Sequence, residues 1–308
     1  MARGDSFLAK GYRQFLAVAE TGSVRAAARQ LNVAASAISR QVTLLEEQLG
    51  TALFERSGRQ LTLTEAGSAL LRGLNATARD HEETLDHISA LRGLTRGHIR
   101  IATVESITAS ILPDALAAFS KTYPGLQVSV TVAGSDAVTA LVRDHAADIG
   151  LTFNPTSLAG LDAYLTRDLP IGAALSPKHP LAKARKLTLA ECLAHPVAWP
   201  AQGLSLRSIL ERKPSLRKHG VAPLFECNSL RLMASLARRG SCIAFQTRIG
   251  IEQDLADGKL VFIPLADRDL PIDRFTIVRR TGQVDLQAAE KFLSVLVPFL
   301  PRQLAVRK

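Results

Sequence analysis

The chain has 308 residues, 47% of them apolar, enough for two or three compact units with sizeable cores. No apolar run reaches the ~18–20 residues that cross a bilayer, and the opening "MARGDSFLAKGYRQF" lacks the long apolar stretch of a secretory leader. Neither a membrane-spanning nor a secreted protein is expected, and the cytoplasm is the default expected location. The formal net charge of +10 points to an anionic partner only weakly, because it is spread along the chain. Residues 1–64 hold eight basic and five acidic side chains, residues 65–96 four and five, and residues 97–308 hold 26 and 18.

The first elements are helical. Lys10 to Glu20 carries apolar residues at helical spacing, and "TGS" at 21–23 breaks it, with Gly22 closing one helix and Ser23 capping the next. A short helix over Val24–Leu31 follows, then a tight turn at Asn32-Val33. A third helix runs to Leu49, where Ile38, Val42, Leu45 and Leu49 share one side. Alanines at 26, 27 and 28 allow the second and third helices a close crossing. Leu53-Phe54 and Gln60–Leu63 then read as two short strands around a Ser57-Gly58 turn. Helix, turn, helix and hairpin is the outline of a winged helix-turn-helix. Its second helix is expected to enter the major groove by its N-terminal end.

That end is unusually bare. Ala34, Ala35 and Ser36 keep it narrow, while Ser36, Ser39 and Arg40 supply hydrogen-bonding groups. A serine can bond base or phosphate, and an arginine can fork onto guanine. Ala35 offers only methyl contact. Arg25 and Arg29 on the preceding helix, Ser23 at its start, and Arg56 and Arg59 on the wing complete the expected DNA-binding set.

Thr64 caps a long helix to about Arg92, on the order of 42 Å at 1.5 Å per residue. Gly67, Leu70, Leu74, Thr77, His81, Thr84, Ile88 and Leu91 step by threes and fours, a heptad seam with a polar middle. Such a seam is expected to pair with a second copy. "GLTRGHIR" (93–100) reads as a hinge.

From Ile99 strands and helices alternate. Strands are expected at 99–103, 126–132 and 148–153, with helices at 107–122 and 135–145. A second series takes strands at 171–175, 196–199, 224–226 and 242–246, with helices near 188–194, 205–212 and 229–239. "FTIVRR" (275–280) and a helix at 286–299 return to the first half. Two α/β lobes joined by two crossings form a cleft, and ligands bind beyond the strand ends of such sheets. Thr103, Val104, Glu105, Ser106, Ser135, Phe153 and Asn154 from the first lobe are expected to line it. Trp199, Ser205, Arg207 and Ser229 are expected there from the second. Helix starts rich in hydroxyls and N–H groups favour an anion. With the basic segment 205–220 this makes a carboxylate-bearing effector the expectation. Glu105 at the mouth opposes it and would favour an amine or zwitterion.

The stretch "FLAVAETGSVRAAARQLNVAASAISRQVTLLEEQLGTALFERSGRQLTLTEAG" (15–67), with "RIATVESITASILPDALAAFSKTYPGLQVSV" and "LSPKHPLA" beyond it, resembles the LysR-type transcriptional regulators. "AISRQV", "LEEQLG", "LFER" and "LTEAG" carry the likeness in order and spacing. The resemblance implies an activator or repressor that binds double-stranded DNA, a dimerising linker helix and a periplasmic-binding-protein-like effector domain. It also implies a homotetramer, with RNA polymerase as a further partner, and a ligand site lined at Ser106 and Ser205. Many relatives place Ser-Gln-Pro where this chain has Ala34-Ala35-Ser36, so base reading here is expected to rest on Ser36, Ser39 and Arg40. The expected architecture is α/β. A winged helix-turn-helix spans 1–64, the linker helix and hinge 65–96, and the effector domain 97–308. Lobe 1 of that domain covers 97–163 and 269–308, and lobe 2 covers 164–268.

A solute-binding protein or a hydrolase on the C-terminal lobes is the alternative reading. "GLSLR" (203–207) is a near miss to a nucleophile elbow, but Arg207 replaces the second glycine and no triad partner is indicated. No catalytic residue, cofactor or metal is expected. Cys192, Cys227 and Cys242 are odd in number and far apart, and read as small buried residues.

Overall fold

The structure, a computed structural model, describes residues 9–57, 60–91, 97–212, 222–267, 270, 272–282 and 287–300. The chain divides into two units, Met1–Thr95 with Asp144–Ala146, and Arg96–Arg143 with Ala147–Lys308.

In the first unit α1 (Lys10–Thr21) ends at Gly22, whose left-handed φ of 62° lets its N–H return to the Val18 carbonyl. Ser23 is extended, and its hydroxyl accepts the Ala26 N–H to open α2 (Val24–Leu31). Asn32, at φ 53°, closes α2, and α3 spans Ala35–Leu49. Val18, Ala27, Ala28, Ile38 and Val42 form one buried cluster, and Phe15, Leu45, Leu53 and Leu74 a second. Leu49, expected on the buried side of α3, is instead 46% exposed, because it sits in the last turn beyond the reach of α1 and α2. Strands β1 (Phe54–Ser57) and β2 (Gln60–Leu63) pair antiparallel, Phe54 opposite Leu63. The wing is tied to α3 through Glu46, whose Oε1 accepts the N–H of Leu53 at 2.7 Å and of Phe54 at 3.3 Å. Thr64 caps α4 (Glu65–Leu91) by accepting the Gly67 N–H. The expected turn at Gly58 lies outside the described residues.

The second unit holds two five-stranded sheets. One has the order β4-β3-β5-β12-β6. Its strands β3 (Gly97–Thr103), β4 (Leu126–Val132) and β5 (Ile149–Phe153) are parallel, while β6 (Leu161–Leu169) and β12 (Asp273–Arg280) add an antiparallel edge. The other runs β11-β7-β10-β8-β9, from β7 (Gly172–Leu175), β8 (Val197–Pro200), β9 (Phe225–Cys227), β10 (Ile243–Gln246) and β11 (Val261–Pro264). Helices α5 (Ile111–Thr122), α6 (Ser135–Arg143) and α11 (Gln287–Leu296) belong to the first lobe. Helices α7 (Leu189–Leu193), α8 (Ser205–Leu210), α9 (Leu230–Arg238) and α10 (Glu252–Ala256) belong to the second. The first lobe has one large core, and the second has an apolar cluster on either side of its sheet.

Three expectations change. Residues 164–169, assigned from the sequence to lobe 2, continue β6 and pair with β12 in the first sheet, Leu165 opposite Ile277 and Leu169 opposite Asp273. Their alternation was masked because the strand lies at the sheet edge and is mostly half-buried rather than buried on one face. The helix expected from Ile107 is a 3-10 turn over Glu105–Ala109 and then α5, divided at Ser110, where φ is −147° and ψ −60°. The hinge expected across 93–100 is strand from Gly97 onward, and its residues 93–96 lie outside the described residues.

Candidate functional site

The leading end of α3 is as slim as its sequence. Ala34 makes no side-chain cap, and the Ala37 and Ile38 N–H groups bond its carbonyl alone. Ser36, Ser39 and Arg40 are exposed, and Ala35 is half-buried against the α1–α2 cluster. Arg25 and Arg29 stand exposed on α2. Ser23 is half-buried with its hydroxyl committed to the α2 cap. Arg56 lies in β1 opposite Leu61, and Arg59 lies outside the described residues.

In the second unit a cavity of about 260 Å³ opens between the lobes. The C-terminal ends of β3, β5 and β10, and the first turns of α6 and α8, place their residues around it. Val104, Glu105, Ser106, Ser135, Phe153 and Ser205 line it as the sequence reading expects. Asn154 lines a larger adjoining cavity of about 1040 Å³, which shares Ser135, Leu204 and Ser205 with the first.

Four expected residues stand elsewhere. Thr103 is fully buried in β3 and bonds the Val104 carbonyl. Trp199 is core, edge-on to Phe245 at 5.6 Å. Strand alternation decides both cases, since each side chain points into its sheet's packed face rather than past the strand end. Arg207 turns away to Glu211 at 2.6 Å and Glu226 at 3.0 Å, which hold its guanidinium charged. Ser229 sits behind the rim. Its hydroxyl accepts the Leu232 N–H to cap α9 and donates to Glu105 Oε1 at 2.8 Å.

Residues the sequence reading did not name complete the lining. Gln246, at the end of β10, is 3% exposed, and its amide nitrogen has no hydrogen-bond partner among the described residues. Asp273, at the start of β12, is 6% exposed, and one carboxyl oxygen accepts a short hydrogen bond from the Asn154 side-chain amide. Burial pushes this carboxyl up to about 7, with the Asn154 bond acting the other way. Asn154 is itself held at φ 40°, its backbone N–H on the Arg274 carbonyl and its side-chain oxygen on the Arg274 N–H. The signal in the sequence was Asp273 standing beside the returning strand "FTIVRR", but only the fold brings that strand's start to the cleft.

No histidine, lysine or arginine is among the described residues lining the smaller cavity. Arg212 and Arg274 reach only the larger one, and Arg274 is bonded to Asp168 at 2.7 Å. Residues 213–220 of the basic segment lie outside the described residues. Among the described residues no cluster of three metal-capable side chains occurs, and no helix is long and apolar enough to cross a membrane. Cys192 and Cys242 are buried and Cys227 half-buried. Desolvation raises all three thiols, Cys192 to about 12 and Cys242 to about 11.

A winged helical unit with a narrow exposed helix tip, and a two-lobed α/β unit with a cavity between its sheets, together define a ligand-responsive regulator of transcription. Residues 10–68 match the bacterial regulatory helix-turn-helix protein, lysR family, and residues 92–300 match the LysR substrate binding domain. The chain belongs to the LysR family: it is a DNA-binding transcriptional regulator with an effector-binding domain. It is 30% identical, over 90% of both chains, to a probable nitrogen assimilation transcriptional activator of Synechococcus elongatus (strain ATCC 33912 / PCC 7942 / FACHB-805). It is 26% identical to the uncharacterized HTH-type transcriptional regulator YbhD of Escherichia coli (strain K12), over 92% of this chain and 89% of that protein. Full-length CbnR, solved in complex with its target DNA, shares the fold at a TM-score of 0.60 and 20% identity, covering 94% of this chain and 99% of that one.

Proposed function

We propose that this regulator reads its operator with the first turns of α3 and senses a small molecule in the interlobe cavity. Ser36, Ser39 and Arg40 contact base edges, and Ala35 packs against a base. Arg25, Arg29, Arg56 and Arg59 hold phosphates, while Ser23 sets the angle of α2 through its cap. Supporting this is the exposure of three hydrogen-bonding side chains on a helix end that carries no larger residue. Residues 65–96 form the linker through which two copies pair. Leu85 and Ile88, 40% and 46% exposed on α4, are the apolar surface that supports the pairing. Two such pairs form a homotetramer in the cytoplasm, and effector binding alters its spacing on DNA and its contact with RNA polymerase.

A fluorescence-anisotropy titration with duplex from upstream of the protein's own gene, against random competitor at moderate salt, tests the reading. Preference for the upstream duplex, lost on Ser36→Ala with Arg40→Ala, supports it. Equal affinity for both duplexes overturns it.

A further inference from the structure

We propose that the interlobe cavity selects an effector bearing an amine, an acceptor oxygen and a compact apolar body, rather than a carboxylate. This rests on the reading that the cavity is the effector site. Three observations carry it.

The first is the sign of the lining. Glu105 enters from the 3-10 turn of the first lobe and Asp273 from the start of β12, and no cationic side chain is among the described residues lining the same space. Ser229 satisfies one oxygen of Glu105, and Asn154 one oxygen of Asp273, so each carboxyl keeps a second oxygen for a ligand. A carboxylate placed here faces the Glu105 carboxylate at short range in a partly desolvated site and disfavours ionisation of Asp273, whereas an ammonium is attracted to Glu105 and favours the ionised form of Asp273.

The second is Gln246. Its amide nitrogen, buried and unpartnered among the described residues, is a donor whose desolvation is uncompensated until an acceptor arrives. It comes from the second lobe, whereas the two acids come from the first. A ligand carrying both an ammonium and an oxygen therefore bridges the lobes.

The third is size and polarity. About 260 Å³ is the room of roughly nine waters at ~30 Å³ each, and Val104, Val132, Ala133, Phe153, Leu206 and Leu230 form its walls. That fits a branched aliphatic or single aromatic body.

The test is calorimetry on the full chain with matched probes: leucinol and phenylalaninol, the diols in which hydroxyl replaces the amine, and leucic and phenyllactic acids. The amino alcohols are expected to bind at least ~10-fold tighter than diols or acids. Glu105→Gln and Asp273→Asn should each erase that preference, and Gln246→Leu should weaken amino alcohols and diols alike. Gly134→Phe fills the cavity from a position where a side chain meets open space, and should abolish binding of every probe. Acids that bind best, amino alcohols indifferent to Glu105→Gln, or no binding by any amino alcohol overturn the amine assignment. If acids bind and Gly134→Phe blocks them, the cavity remains the effector site. Binding that survives Gly134→Phe overturns the cavity reading itself. If Asp273→Asn does not fold, as shown by its circular dichroism, Glu105→Gln decides the question alone.

Discussion

The Ser229 hydroxyl holds the two lobes of the effector domain at one point, donating to Glu105 of the first lobe while accepting the Leu232 N–H of the second. A second tie lies nearby, where Glu252 Oε2 accepts from the Ser110 hydroxyl at 2.6 Å and the Gly250 N–H at 2.7 Å. Ser229→Ala removes a helix cap and a hydrogen bond to a carboxylate together. Caps contribute about 1 kcal/mol and charge-assisted bonds about 1.5–3 before solvent exposure reduces them. Urea unfolding followed by Trp199 fluorescence should show a loss of about 2 kcal/mol. A loss under ~0.5 kcal/mol would mean the contact is made only in passing.

Gly67 is fixed by space rather than by backbone freedom. It sits in the first turn of α4, and a Cβ there would run into the Leu53 carbonyl and the Leu63 side chain. The same carbonyl accepts the Thr64 N–H, so it has little room to move. Gly67→Ala is expected to destabilise the winged unit by about 1–3 kcal/mol, the usual cost of overpacking. It should weaken DNA binding while leaving the effector domain's unfolding unchanged. Separate denaturation of the two units, read by circular dichroism and by Trp199, checks this.

Local chemistry explains which parts of the structure were legible beforehand. The winged helix-turn-helix could be read because its punctuation is local: Gly22, Ser23, Asn32 and Gly50 each stop or start a helix by their own backbone preference. The strands of the parallel sheets announce themselves as short apolar runs, β5 being buried at every position. Strand β6 is half-exposed and joins its sheet only through β12, more than a hundred residues later, so no window of sequence reveals it. The cavity splits along the same line. Residues directly after a strand, such as Val104 and Ser106, were found by the rule that ligands sit beyond strand ends. Gln246 and Asp273 were not, because their place depends on how the second lobe and the returning strand meet the first. Trp199 and Arg207 were over-read from their position, because their partners Phe245 and Glu226 come from neighbouring strands.

Base-reading and phosphate-holding arginines should separate in their salt dependence. Arg40→Ala is expected to cost about 1–3 kcal/mol on the preferred duplex and to relax discrimination, with little loss on random DNA. Arg25→Ala should weaken binding to every sequence and lower the slope of log K against log salt by about 1. Anisotropy titrations over a range of salt on both duplexes check the pair. Identical behaviour of the two variants would refute the division of roles.

Asp273 gives the effector domain a pH dependence of unusual sign. Its carboxyl, ordinarily near 3.8, is raised by burial to about 7 in the folded protein. Between those values the unfolded chain has released this proton while the folded chain keeps it, so folding carries the cost of retaining it. The stability contribution is therefore most favourable below about pH 4 and is lost as pH rises toward 7. The full displacement corresponds to on the order of 4 kcal/mol. Asp273→Asn keeps an oxygen for the Asn154 amide and removes the titration. The variant is expected to match the parent near pH 4 and to exceed it by a few kcal/mol at pH 8, in urea unfolding followed by Trp199. Parallel stability curves for the two proteins across that range would show that Asp273 does not titrate there. An amine in the cavity acts in the opposite direction, because a cation beside Asp273 favours its ionised form and draws the carboxyl back down. Saturating amino alcohol should therefore stabilise the parent more at pH 8 than at pH 5, and should leave Asp273→Asn without that difference.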